Sequence, residues 1–252
     1  MQTLIAANWK MHKTRSQARE TAQEVIHNLE GNLPAQREVL ILPPFTSLDV
    51  VSEVIAGKNG FKLGAQDFYP AEEGAYTGEI SPDMLLDLSC AYALAGHSER
   101  RHVLLESDEF IAEKLALGLE KGLHMILCIG ETLQERNQGS MQGVIDRQLR
   151  SALSLSRVRE NLGSGVTIAY EPVWAIGTGV VAQPEDIAEA HNMVRGILQE
   201  LLSSAGDKIS ILYGGSVKPK NISEILAIDN VNGVLVGGAS LEAGSFSSIS
   251  LG

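Results

Sequence analysis

Cysteine, aromatic side chains and positive charge are all scarce in this 252-residue chain. The two cysteines, Cys90 and Cys128, sit inside the apolar runs "LSCAYALAG" and "MILCIGE", with no Cys-x-x-Cys partner and no ligand-spaced histidine. They read as buried free thiols of a reducing compartment rather than as a disulfide or a metal site. Lys and Arg number 20 against 31 Asp and Glu, a formal charge of −11. That balance argues against a nucleic-acid or anionic-membrane partner, because phosphate backbones recruit net positive surfaces, so any phosphate must be bound locally. No apolar run has the length of a bilayer crossing, and "MQTLIAANWKMHK" lacks the basic start, apolar stretch and cleavage site of a secretion signal. The expectation is a soluble cytoplasmic protein.

What the chain does have is regularity. A hydrophobic content of 44% supports a large core. Eight apolar runs of strand length recur: "TLIAANW", "VLILPP", "FKLGAQ", "AYALAG", "HMILCIG", "VTIAYEP", "ISILYGG" and "GVLVGG". Between them lie segments with helical spacing, such as Ala18, Ala22, Val25, Ile26 and Leu29, or Ile187, Val194, Ile197, Leu198, Leu201 and Leu202. Pro184 with Glu185 and Asp186 suits a helix first turn, and Ser107 suits the cap of a helix that closes at Lys121-Gly122. Strands alternating with helices, with no linker-like break, predict a parallel sheet. Closure into a single-domain (β/α)8 barrel over residues 1–252 is the simplest architecture, with an open doubly wound sheet as the alternative.

In a barrel the loops after the strands gather on one face. The strand ends here are rich in chemistry: Asn8-Trp9-Lys10, Gly96-His97-Ser98-Glu99, Glu171, Gly214-Gly215-Ser216 and Gly237-Gly238. Glu171 precedes Pro172, which biases it towards an extended conformation at its strand end. The following Val173, Trp174, Ala175 and Ile176 would be four exposed apolar residues unless they close over something. With Pro172 on one side and Gly177, Thr178 and Gly179 on the other, the stretch has the composition of a rigid lid on two hinges. His97 begins a short helical stretch, whose positive end favours a neutral imidazole. Lys10 faces the same mouth, whereas His12, His27, His102, His124 and His191 have no such company. The loops "YGGS" and "GGAS" match no phosphate-motif pattern singly, yet together they fit a barrel phosphate site, where glycine lets backbone N–H groups approach the anion.

The segments "AANWKM", "GAYTGEIS", "GHSERR", "CIGETLQER", "AYEPVWAIGTG", "ILYGGSVKPKN" and "VLVGGASL" in this order resemble the triosephosphate isomerase family across essentially the whole chain. The resemblance implies a TIM barrel, triose phosphate substrates, a proton-transfer isomerisation, and neither metal nor organic cofactor. Such chemistry needs a base over the carbon skeleton, for which Glu171 is the candidate, and donors for an enediolate oxygen, a task for neutral His97 with Lys10 and Asn8. By resemblance, Gly177, Ser216, Gly237 and Gly238 serve the phosphate, Glu99 supports the site, and Tyr213 with Ser216 latches the lid. It also implies a homodimer in which the long loop "DFYPAEEGAYTGEIS", with Thr77 near its tip, docks beside the partner's site. The chain departs from the family at His12, Val180 and Asn232, of which Val180 bears on lid kinetics. Two other readings remain: a Schiff-base aldolase with Lys10 as nucleophile, and a barrel retained as a binding protein.

Overall fold

The computed structural model describes residues 2–176 and 181–252, so Gly177, Thr178, Gly179 and Val180 of the expected lid and hinge lie outside the described residues. Within them are β1 (Thr3–Asn8), β2 (Arg37–Leu42), β3 (Phe61–Ala65), β4 (Tyr92–Ala95), β5 (His124–Ile129), β6 (Val166–Tyr170), β7 (Ser210–Tyr213) and β8 (Gly233–Val236). They form a closed parallel barrel in sequence order, sealed where β1 pairs with β8 from Leu4↔Gly233 to Ala7↔Val236. The open-sheet alternative is thereby ruled out.

Helices follow the strands with the expected punctuation. Arg15–Leu29 buries Ala18, Ala22, Val25, Ile26 and Leu29, the stripe its spacing predicts. Ser107 caps Asp108–Glu120 by accepting from the Phe110 N–H, and Gly122 just beyond takes φ +88°. Pro184 opens Pro184–Leu202, in which Ile187, Val194, Ile197 and Leu198 are buried while Leu201 and Leu202 are only partly covered. Among the described residues no helix is long and apolar enough to cross a membrane.

Because successive strand residues face opposite ways, the sheet carries two separate cores. Leu4, Ala6, Leu40, Leu42, Leu94, Ile126, Cys128, Ala169, Leu212 and Leu235 fill the lumen. Their neighbours, such as Ile5, Ala7, Val39, Ile41, Ile168 and Ile211, pack outward with the helix stripes. Both cysteines are free and buried, Cys90 in the outer core and Cys128 in the lumen. The alternation also sets the mouth: Asn8, Glu171, Gly214 and Gly237 each lie two residues beyond a lumen residue, so they continue the inward set one step past the last apolar layer.

One buried and one half-buried histidine are expected to make stability depend on pH. His191 is fully buried, its Nδ1 3.0 Å from the Asn230 carbonyl and its ring edge-on to Tyr170. His124 sits 2.8 Å from the Thr167 hydroxyl. Burial pushes both down to about 4. An unfolded histidine titrates near ~6.5, so between these values the unfolded chain holds more protons, and stability present above the upper value is lost as pH falls through the lower. Asp67 has the opposite sign: burial raises it from 3.8 to about 6, so its contribution is present below the former and lost as pH rises through the latter. His191→Gln is expected to flatten the dependence of unfolding free energy on pH between 5 and 6 by about one proton, or ~1.4 kcal/mol per pH unit. Denaturant titrations at several pH values measure it, and an unchanged slope would contradict the assignment.

Candidate active site

Lys10 lies just past the end of β1 in a left-handed conformation, φ +51°, which a non-glycine residue adopts only when its surroundings impose it. Its N–H donates to Asn8 Oδ1 at 3.0 Å. Its carbonyl accepts from Gln66 Nε2 at 2.9 Å, and the same amide also donates to the Leu42 carbonyl at 2.8 Å. The ammonium then reaches Glu99 Oε1 at 2.6 Å. Gly237 leaves room for this side chain, since a Cβ there would lie 3.2 Å from Lys10 Cε.

His97 is out of step with the inward set, and a turn at Gly96, φ +73°, brings it to the mouth. It caps the helix Ser98–His102, its Nδ1 accepting from the Glu99 N–H at 3.3 Å. That contact requires a lone pair on Nδ1, which assigns the ring proton to Nε2. Nε2 is 3.0 Å from Glu171 Oε1, while Glu171 Oε2 accepts from the Ser98 N–H at 2.8 Å. Glu171 is 2% exposed. Burial pushes its carboxyl up, but His97 and the Ser98 N–H outweigh it and hold the pKa below the ordinary value. For His97, burial pulls down and the Glu171 carboxylate pulls up, and in this arrangement the carboxylate prevails. This differs from the sequence expectation of a depressed histidine, because the contact with Glu171 could not be read from the chain.

The strand pairing of β6 ends at Tyr170, yet the Glu171 N–H still donates to the Ile129 carbonyl at 2.7 Å. Beneath it Gly130, φ +157°, leaves no room for a side chain, since a Cβ would fall 1.8 Å from the Glu171 carbonyl oxygen. Gln148 clamps both main-chain groups of Gly130. After Pro172 the chain makes a short helical turn, Val173–Ala175. The sequence reading left Val173 to Ile176 exposed unless they closed over something, and in the fold they do meet a surface. Ala175 is buried and Val173, Trp174 and Ile176 are partly covered, because the turn docks on Glu131. The fully buried Glu131 carboxylate accepts from the Trp174 indole at 2.8 Å, the Tyr170 hydroxyl at 3.1 Å and Arg136 at 3.1 Å. Arg136 also stacks over the Trp174 ring and reaches Asp186 at the start of the next helix. Glu131 and Gln66, which hold the Trp174 turn and the Lys10 main chain, are residues that sequence reasoning did not single out. The signal for Glu131 was present, as an acid directly after a strand-end glycine.

Asn8, Lys10, His97 and Glu171 line one wall of a cavity of about 450 Å³. Gly214, Gly215, Ser216, Gly237 and Gly238 line another, with Ala175, Ile176 and Lys218 at its edge. Glu99 does not line the cavity and touches it through Lys10 and through His97, whose Nδ1 lies 3.6 Å from Glu99 Oε2. Tyr213 is buried, with its hydroxyl beside the Ser216 main chain in an adjoining cleft. Thr77 is exposed on the long loop after β3 and does not line the cavity. Gly177, Thr178 and Gly179 lie outside the described residues. Among the described residues no group of three or more His, Cys, Asp or Glu could hold a metal ion.

The chain matches the family described as triosephosphate isomerase over residues 3–251. It is 53% identical over 254 residues to a protein named triosephosphate isomerase from Nitratidesulfovibrio vulgaris (strain DP4), with all of both chains covered. Proteins of the same name from Oleidesulfovibrio alaskensis and Aquifex aeolicus are 54% and 47% identical, covering 100% of both chains in the first case, and 99% of this chain and 98% of the relative in the second.

Proposed function

Since the chain belongs to the triosephosphate isomerase family, we propose a division of labour among the residues around its cavity. The reaction is the interconversion of dihydroxyacetone phosphate and glyceraldehyde 3-phosphate. Glu171 is the base that carries the proton between the two carbons. In the geometry described above it rests on the Ser98 N–H and His97, so it must leave both and turn into the cavity to reach a substrate carbon at hydrogen-bond range. That movement removes the carboxylate from His97. Burial and the Glu99 N–H at Nδ1 then favour the neutral ring, whose Nε2 proton is free to be donated to the enediolate oxygen. Lys10 and Asn8 are further donors to that oxygen. Glu99 and Gln66 position Lys10.

Gly177, Ser216, Gly237 and Gly238 are assigned to the phosphate. Residues Pro172 to Gly179 are assigned to a lid that Tyr213 and Ser216 latch, which excludes water and keeps the enediolate from eliminating phosphate. Neither metal nor organic cofactor takes part in this scheme. Lys10 is an ion-pair partner of Glu99, which suits a binding cation better than a Schiff-base nucleophile. We further assign the whole chain to one barrel domain of a cytoplasmic homodimer. In favour of the homodimer are the exposed loop that carries Thr77 and the apolar surface of Met11, Val103, Leu104 and Leu105.

The observation that carries the reading is the meeting of an acid, an imidazole and an ammonium over one cavity whose far wall is glycine main chain. The test is a coupled isomerase assay on chelator-treated protein that also measures methylglyoxal. The expected result is full isomerase activity with methylglyoxal as a minor product. Activity lost to chelator and restored by zinc or magnesium would overturn the metal-free scheme.

A further inference from the structure

The cavity's one cation of the catalytic wall, Lys10, is already compensated, since Glu99 lies 2.6 Å from its ammonium. On the glycine side the situation differs. Lys218 lines the cavity together with Ser216, Gly237 and Gly238, and has no carboxylate partner among the described residues. Its backbone is fixed with unusual care for an exposed residue. The Lys218 N–H donates to Asn221 Oδ1 at 2.7 Å, its carbonyl accepts from the Asn221 N–H at 3.1 Å, and Asn221 Nδ2 donates back to the Ser216 carbonyl at 3.1 Å. Pro219 stiffens the turn between them. Asn221 therefore ties the position of Lys218 to that of Ser216. Lys220 and Glu224 line the adjoining cleft together with Lys218.

We propose that Lys218 is an affinity-determining residue of the isomerase, an uncompensated cation at the rim that draws the substrate's phosphate dianion into the glycine-walled cavity. The inference rests on the reading of that cavity as the triose phosphate site. Its physical basis is the background field: a chain of net charge −11 repels a dianion at long range, and backbone N–H groups act only at contact. A local positive charge at the mouth reverses the sign where the ligand enters. Because Lys218 is exposed, its effect must be screened by salt, over a Debye length of about 30 Å at 0.01 M and about 3 Å at 1 M.

The experiment compares wild type, Lys218→Gln, Lys218→Arg and Lys58→Gln. The last removes the same charge at a residue that pairs with Glu30, away from the cavity. Steady-state kinetics are measured from about 0.01 M to about 0.5 M salt, together with competitive inhibition by inorganic phosphate. Lys218→Gln is expected to lower kcat/KM roughly 3- to 10-fold at the lowest salt. The loss should fall mainly in KM, be matched by weaker phosphate inhibition, and shrink towards twofold at high salt. Lys218→Arg restores it, and Lys58→Gln matches wild type. If wild type isomerises and Lys218→Gln keeps its kcat/KM at every salt concentration, or loses activity in a way that salt does not alter, Lys218 does not have this role. If wild type itself does not isomerise, the reading of the cavity fails and the inference falls with it.

Discussion

Glu171→Asp is expected to fold and to lose kcat by about a hundredfold or more at saturating substrate, since ~1 Å of misplacement at a reacting centre costs about that much. The shorter side chain withdraws the carboxylate by roughly one C–C bond length, ~1.5 Å. Glu171 now spans two contacts at once, the Ser98 N–H at 2.8 Å and His97 at 3.0 Å. Aspartate cannot hold both, so a buried N–H loses its acceptor at a cost of about 1–2 kcal/mol, and Tm falls by a few degrees. The two readouts separate the effects, because a modest loss of stability leaves the protein folded at assay temperature while the rate collapses. An Asp variant that turned over within threefold of wild type would remove Glu171 from the role of base.

The second large effect concerns Gly130. An alanine there would have to keep φ +157° while its Cβ sat 1.8 Å from the Glu171 carbonyl oxygen and 2.7 Å from the carbonyl carbon. Neither side can yield easily. Gln148 holds the Gly130 main chain from below, and the Glu171 N–H is bonded to Ile129. The expected outcome of Gly130→Ala is a loss of about 2–5 kcal/mol in unfolding free energy, from backbone strain and overpacking together. Kcat should also fall by about tenfold or more, because whatever relief the chain finds moves the base. Gly143→Ala is the control. Gly143 lies in the helix Met141–Leu153 with open space around its Cβ direction, so alanine should be neutral or stabilise by about 0.4–1 kcal/mol. Denaturant unfolding and kcat measured on both variants decide the matter. Equal stability and activity in Gly130→Ala would show that the clash is relieved without moving Glu171.

These two residues also mark how far the sequence could be read. Glu171 was legible because Pro172 and the apolar stretch after it form a local signal, and strand periodicity alone put it on the mouth of a barrel. The eight strands and the stripe of the first helix were legible for the same reason: alternation and helical spacing are properties of neighbours in the chain. The parts played by Gly130 and Gln66 were not, nor was that of Glu131, although its place directly after a strand-end glycine marked it. Each owes its role to a partner far away in sequence: Gly130 to the Glu171 carbonyl, Gln66 to the carbonyls of Lys10 and Leu42, and Glu131 to the Trp174 indole. That Val173–Ile176 need a surface to cover them was legible, but which surface was not, because a buried carboxylate underneath leaves no trace in the stretch itself. The upward pull on the His97 pKa was hidden for a related reason, since a helix start lowers an imidazole's pKa and only the folded chain reveals the carboxylate that raises it.

The division of the interior into a lumen and an outer shell has a consequence for how such a chain can change over time. The sheet is a partition, with the helix stripes on one side and ten small or branched residues on the other. Substitutions confined to opposite sides share few contacts, so their energetic effects should add rather than compound. The helix-facing side is thus free to drift towards new temperatures or new neighbours, exchanging one methylene for another, while the lumen layer beneath Asn8, Glu171, Gly214 and Gly237 keeps its dimensions. Ancestry can rewrite the scaffold's thermal tolerance without renegotiating the distances on which proton transfer depends.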